Sequence, residues 1–350
     1  MILELLLAST LVPGRAGCPT PPLGAGRLNG AMGHRALPWE GRAGSPSPAV
    51  AGASEARAPR ISNFELQIAP AAPDAKRAEL AERFTRELQR IAEGVDGSIS
   101  YLIVDLTTGE RFARRADEPF PTASAIKIGI LHELFVQADA GRVRLDEPRP
   151  LPPAARVGGS GILQRLSSPH LSLRDHAMLM ILLSDNSSTN VLIDALGMET
   201  ITAHMHALGA KGYRLRRRMM DGAAAARGDE NVASASDLVV VMDALRTGRR
   251  LTPTSRDEAI RILREYGPTA IRAGVPADVP VAAKPGGLDG VRTEVAWVEV
   301  KGRPYLLCVM TSFLATDADG DRAITDLSRT AYRYFSRLGN AGVEGRLLPQ

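Results

Sequence analysis

The chain has 350 residues, with 43 basic and 39 acidic side chains, a formal net charge of +4, 44% hydrophobic content and 4% aromatic content. That much apolar material supports a sizeable core and excludes a disordered chain. Mixed charge and few aromatics exclude a nucleic-acid footprint, which needs a basic surplus on one face and stacking platforms.

Residues 1–18, MILELLLASTLVPGRAGC, carry the apolar run and small residues of a signal peptide, yet Glu4 is present and no Lys or Arg precedes the run. Export to the periplasm or the exterior is expected. The run is too short to span a bilayer, so no stable membrane insertion is expected. Residues 19–74 read as a Pro/Gly/Ala-rich linker or disordered segment, because Gly and Pro make up 17 of the first 60 residues. Cys18 and Cys308 are the only cysteines and imply no disulfide framework.

Order is expected from residue 75. DAKRAELAERFTRELQRIAEGVDG has helical apolar spacing and ends at Gly94 and Gly97; SISYLIVDLTTGERFARRAD then alternates and turns at Thr107 to Gly109. From Ser124 to Leu245 helical patterns dominate. Strands return with VPVAAKPGG and VRTEVAWVEVKGRPYLLCVMTSF, the latter turning at Lys301 and Gly302, and the amphipathic GDRAITDLSRTAYRYFSRL closes the chain. The reading is α+β: an antiparallel sheet flanked by N- and C-terminal helices, with an all-helical subdomain inserted. One domain is expected over 75–340, its sheet part formed by 75–115 and 250–340 and its helical part by 116–249.

Three short motifs fall at element boundaries. Ser124-Ala-Ile-Lys127 opens a helix, so hydroxyl and amine share one face, and a desolvated lysine tends to its neutral, basic form. Ser184-Asp185-Asn186 follows an apolar helix; alone it would be an ordinary helix end and N-cap. Lys284-Pro285-Gly286 begins where a strand should meet a cavity; alone it would be a turn. Each is weak in isolation, but Ser184 follows Ser124 by 60 residues and Lys284 follows Ser184 by 100, in consistent settings.

In order and spacing the three motifs resemble those of the penicillin-recognising serine hydrolases, within them the class A β-lactamases. The resemblance runs from about Ala75 to Leu338 and includes GGSGIL at 158–163. It implies a β-lactamase/transpeptidase-like fold and an acyl-enzyme mechanism without metal or other cofactor. Ser124 would be the nucleophile, Lys127 its base or proton relay, and Ser184 would pass a proton toward the leaving nitrogen. Asn186 would bind the substrate's side-chain amide and Lys284 would supply positive potential. Gly286 would leave room for the acyl group, and the N–H groups of Ser124 and Gly287 would form the oxyanion hole. The implied partner is a small-molecule β-lactam or a D-Ala-D-Ala-like peptide, with no nucleic acid, acting on a monomer.

Two departures stand out. The family's deacylating glutamate has no counterpart in YRLRRRMMDGAAAARGDENVASASDL: Met219 falls at its place and Ala223 at that of a supporting asparagine, while Asp221 and Glu230 have the wrong spacing. Acylation is therefore expected to be easier than turnover. Pro285 removes the hydroxyl that follows the lysine in the usual motif, and Arg292 is either a compensating cation or a solvated strand residue. A penicillin-binding D,D-peptidase or transpeptidase and a non-catalytic domain of the same fold stay open beside β-lactam hydrolysis. His204 and His206, two apart on a helix, do not make a metal site. The acids of residues 317–321 lack the glycine of a calcium loop, since position 322 is Arg.

Overall fold

In the computed structural model, which describes residues 75–167, 169–342 and 345–347, the chain enters the fold through α1 (Ala75–Glu93). The leader at 1–18 and the linker at 19–74 lie outside the described residues. Phe84, Leu88 and Ala92, four residues apart, form the buried stripe of α1. The hairpin of β1 (Ser98–Asp105) and β2 (Arg111–Arg114) follows. After β3 (Phe120–Pro121) a 3-10 turn at Ala123–Ile126 runs directly into α2 (Lys127–Asp139).

The ribbon of β4 (Pro148–Pro150) and β5 (His170–Ser172) leads into α3 (Leu173–Leu182), α4 (Asn186–Leu196) and α5 (Met198–Leu208). The short α6 (Gly222–Ala226) and β6 (Val232–Ala233), which pairs with β3, precede α7 (Ala235–Thr247). Then come α8 (Pro253–Arg264), the single turn α9 (Ala270–Ala273), β7 (Val281–Leu288), β8 (Val291–Val298), β9 (Tyr305–Ser312) and α10 (Asp317–Gly339). Side-chain oxygens start these helices where the sequence offers them: Ser172, Asp185, Thr252 and Thr316 each accept an amide of the first turn, and Ser234 with Asp237 forms a reciprocal capping box.

Five of the nine described strands form one antiparallel sheet in the order β2-β1-β9-β8-β7, so the last strand along the chain is the central one. All eight residues of β9 are buried, and its two faces serve two cores. Tyr305, Leu307 and Val309 meet α1 and α10, where Phe84 stacks on Tyr334 at 4.2 Å. Leu306, Cys308 and Met310 face a second core with α2 and α7. The expected α+β fold is observed. Helices α6, α8 and α9 were not read from sequence, nor were the ribbons β3–β6 and β4–β5, which are too short to carry an alternating pattern.

Helix α2 is buried nearly all round and carries titratable groups into the core. His204 Nε2 lies 3.1 Å from His132 Nδ1, and His132 Nε2 lies 3.0 Å from the Arg249 carbonyl. His204 Nδ1 approaches Glu133 Oε2 at 3.4 Å, while Gln137 donates to Glu133 Oε1 at 2.7 Å. Burial pushes His132 down to about 3 and His204 to about 4, with His204, Arg249 and Arg250 opposing charge on His132 and Arg250 and Arg142 opposing it on His204. Both imidazoles are thus neutral in the folded state where the unfolded chain, with pKa near 6.5, binds protons. Stability is fully present above about pH 6.5 and falls as pH drops toward 4. Denaturant titrations should show a loss on the order of 2 kcal/mol per histidine between pH 7 and 5; a flat profile would show that these imidazoles are not buried as neutral groups.

Candidate active site

The 3-10 turn that carries Ser124 is held from three sides. Thr122 Oγ1 donates to the Asn231 carbonyl at 3.0 Å, the Tyr213 hydroxyl donates to the Ile126 carbonyl at 2.7 Å, and Thr293 Oγ1 on β8 reaches the Pro121 carbonyl at 3.3 Å. Ala123, just before Ser124, has φ 45°, a conformation that side chains disfavour. Ser184 at 52° and Met220 at 63° share it, so the strained non-glycine positions include three beside this site.

Strand β7 lies against the same turn. A Cβ at Gly286 would stand 2.6 Å from the Ser124 nitrogen, 2.7 Å from the Thr122 carbonyl oxygen and 2.8 Å from the Ala125 nitrogen. The sequence reading gave Gly286 the task of leaving room for an acyl group; its contacts give another reason, close approach of two backbones. Ser124, Ser184, Gly286 and Gly287 all line one cleft of about 710 Å³.

Lys127 and Lys284 are fully buried and meet at one oxygen. Lys127 Nζ donates to Ser184 Oγ at 3.1 Å, to the Ser184 carbonyl at 2.7 Å and to Asn186 Oδ1 at 3.0 Å. Lys284 Nζ donates to the same Ser184 Oγ at 3.2 Å and to the Pro285 carbonyl at 2.9 Å, and sits 4.7 Å from the centre of the Tyr266 ring. The expected bond from Lys127 to the Ser124 hydroxyl is not formed; its amine is turned to the oxygens of Ser184 and Asn186. Hydrogen bonds of this kind tighten when substrate arrives. Burial brings Lys127 down to about 7, opposed by the charge of Asp185. Burial first, then the Lys127 charge, pushes Lys284 well below the usual lysine range. Two ammonium groups around one hydroxyl repel, so the site favours one proton between them and leaves the other amine basic.

Asp185 organises the rest. Its Oδ2 accepts the Ile162 and Leu163 amides at 2.7 and 2.8 Å, and its Oδ1 accepts Ser188 N at 2.8 Å, tying the 158–163 loop to the start of α4. Asn186 is bound to that loop through its Nδ2 to the Gly158 carbonyl at 3.2 Å, and the Ser160 carbonyl accepts its backbone amide at 3.1 Å.

The loop after α5 is built around Asn190. Its Oδ1 accepts Met219 N at 2.8 Å and its Nδ2 donates to the Met219 carbonyl at 3.2 Å, so one side chain fixes both backbone groups of Met219. Met219 is buried and apolar. Asp221 caps α6 by accepting Ala224 N, and Glu230 pairs with Arg217 at 2.7 Å. Arg292 lines the cleft, but it is bound to Asp317 at 2.6 Å and approaches Asp321 at 3.4 Å.

Sequence reasoning missed Tyr266, Thr269, Thr293 and Glu294, all of which line the cleft. None sits in a motif. Only the alternation of β8, which puts an acid among Val, Ala and Trp, signalled Glu294.

A serine on a helix-capping turn, beside a hydroxyl held by two buried amines and a strand whose backbone touches that turn, is the equipment of a serine acyl-transfer enzyme. The chain belongs to the β-lactamase enzyme family, whose model matches residues 83–335. It is 28% identical over 254 residues to an imipenem-hydrolysing β-lactamase of Enterobacter cloacae, covering 70% of this chain and 87% of that protein. It is 31% identical over 227 residues to β-lactamase AST-1 of Nocardia asteroides, covering 63% and 73%. Among solved structures, a mutant of PBP-A in an acyl-enzyme complex with penicillin G superposes with a TM-score of 0.69 at 26% identity, over 77% of this chain and 99% of that one.

Gly286→Ala should push β7 off the 3-10 turn, costing about 1–3 kcal/mol in denaturant stability through overpacking. An unchanged midpoint would mean that the close approach is slack.

Proposed function

We propose that the protein opens the amide of β-lactams through an acyl-enzyme on Ser124. The observation that carries this is the sharing of Ser184 Oγ by two fully buried amines, with Ser184 lining the same cleft as Ser124. The Ser124 oxygen forms the new bond to the carbonyl carbon while its proton passes to neutral Lys127. The N–H groups of Ser124 and Gly287 receive the oxyanion, and on collapse the C–N bond breaks as Ser184 delivers a proton to the nitrogen. Asn186 holds the amide of the substrate's side chain. Lys284 replenishes the Ser184 proton and contributes positive potential whenever it is charged. Hydrolysis then needs a base for water, and the expected position holds Met219, so release is the slow half of the cycle. We place the active protein in the periplasm or outside the cell, in keeping with the apolar N-terminal run.

The buried Met219 also favours a second reading, a penicillin-binding D,D-peptidase or transpeptidase, which holds a β-lactam as a long-lived adduct. Intact-mass measurements after a penicillin pulse separate the two: free protein returning within minutes supports the hydrolase, and an adduct persisting for hours supports the peptidase. Ser124→Ala should form no adduct at all; an equal adduct in this variant would remove Ser124 from the mechanism. Met219→Glu should speed release by about 10²-fold or more if position 219 faces the acyl carbonyl.

The base has a further signature. Because only neutral Lys127 accepts the proton, the acylation rate constant should rise with pH and level off above about 7, the value to which burial lowers this amine. An acylation rate independent of pH across the neutral range would exclude Lys127 as the base.

A further inference from the structure

At the edge of the sheet the cleft is lined by Pro285 on β7 and by Glu294, its partner on β8. Each cation at this wall already has acceptors. Lys127 is bonded three times, to Ser184 Oγ, the Ser184 carbonyl and Asn186. Lys284 has Ser184 Oγ, the Pro285 carbonyl and the Tyr266 ring. Arg292 faces Asp317 and Asp321 and donates to the carbonyls of Leu288 and Val291 at 3.1 and 2.9 Å. Arg272, on α9, donates to the carbonyls of Arg264 and Val281.

One acceptor, by contrast, is left over. Glu294 is 1% exposed and lines the cleft; its Oε2 accepts the Ile271 amide at 3.1 Å with Thr269 beside it, while its Oε1 has no hydrogen-bond partner. A buried carboxyl oxygen without a partner is costly, and a ligand group that donates to it recovers that cost. A carboxylate placed there would find no hydroxyl, because Pro285 carries none, and would face another acid.

We infer that this wall selects acyl donors presenting an uncharged N–H donor, a primary carboxamide, where a carboxylate would otherwise sit. The inference rests on Ser124 acyl transfer and ranks amidated substrates above their carboxylate counterparts. An ammonium group is a poorer fit, since the charges of Lys284 and Arg272 already bear on Glu294. The groups that bear on Glu294 are Lys284 from β7, Arg272 and Thr269 from the α9 side, Tyr266 beyond α8 and Cys308 from β9. Burial holds the carboxyl up to about 7, so its acceptor character is complete somewhat above neutral pH.

The test uses Ser124→Ala protein and two ligands, penicillin G and its primary amide, titrated by calorimetry at a pH about one unit above neutral. The amide should bind about 10-fold more tightly than the carboxylate. Adding Glu294→Gln, which keeps the shape but offers a donor, should erase or reverse that ratio, and adding Pro285→Thr should strengthen carboxylate binding by a similar factor. Tighter binding of the carboxylate, no measurable binding of either ligand, or a ratio indifferent to both substitutions overturns the inference. Adduct formation by wild-type protein is read separately by mass: a binding preference without any adduct would refute acyl transfer and leave the preference standing.

Discussion

The site depends on the desolvation of two amines. In water Lys127 and Lys284 would both be charged and their attraction for one serine oxygen would be unremarkable. With both buried, each further charge costs several kcal/mol, and the pair must settle for fewer protons than it could hold. That is why Ser184 matters more than its size suggests: its hydroxyl is the one oxygen both amines reach, so it can accept from the protonated one and donate to the other. The fold supplies the burial from two directions, α2 and the turn before α4 delivering Lys127 and Ser184, and the sheet edge delivering Lys284.

Strain follows from the same demand. Ala123 and Ser184 adopt left-handed backbone conformations, each costing on the order of 1 kcal/mol or more, and each adjoins or is a serine that lines the cleft. The surrounding hydrogen bonds hold them there. Thr122, Tyr213 and Thr293 fix the turn, and Asp185 fixes the 158–163 loop to α4. A preorganised site of this kind needs little rearrangement when charge develops on a substrate carbonyl.

What could be read from the chain and what could not divides along locality. The Ser124-to-Lys127, Ser184-to-Asn186 and Lys284-to-Gly287 runs each announce themselves within four residues, and the helix caps at Ser172, Asp185 and Ser234 follow from nearest neighbours. The central place of β9 was not legible, because pairing the last strand with the first is a long-range event that no local pattern encodes. Neither was the loss of the Ser124–Lys127 bond, since i, i+3 spacing gives reach but not the competing acceptors, and these arrive from Ser184 and Asn186, far along the chain. Arg292 illustrates the same point: as a strand arginine it was either a cation for the cleft or a solvated side chain, and α10, folded back from the chain's end, bound it to two aspartates. Glu294 was hidden because an acid on a strand reads as a solvent-facing residue unless the helix covering it is known.

Placement of carboxylates, more than architecture, then decides what the cleft does with an acyl group. Asn190 grips both backbone groups of Met219, so the loop is as tightly built as one that would present a catalytic side chain, yet the side chain it presents is a thioether. Met219 can neither accept a proton from water nor order one, and its burial keeps that corner of the site apolar. The nearest acids along the chain do not substitute: Asp221 is engaged as an N-cap and Glu230 by Arg217. An acid with one unpartnered oxygen, Glu294, lies instead at the Pro285 wall of the cleft. The corner at Met219 is therefore apolar while a buried carboxyl, that of Glu294, lines the cleft beside Pro285, so the two positions differ in what they offer any group that enters.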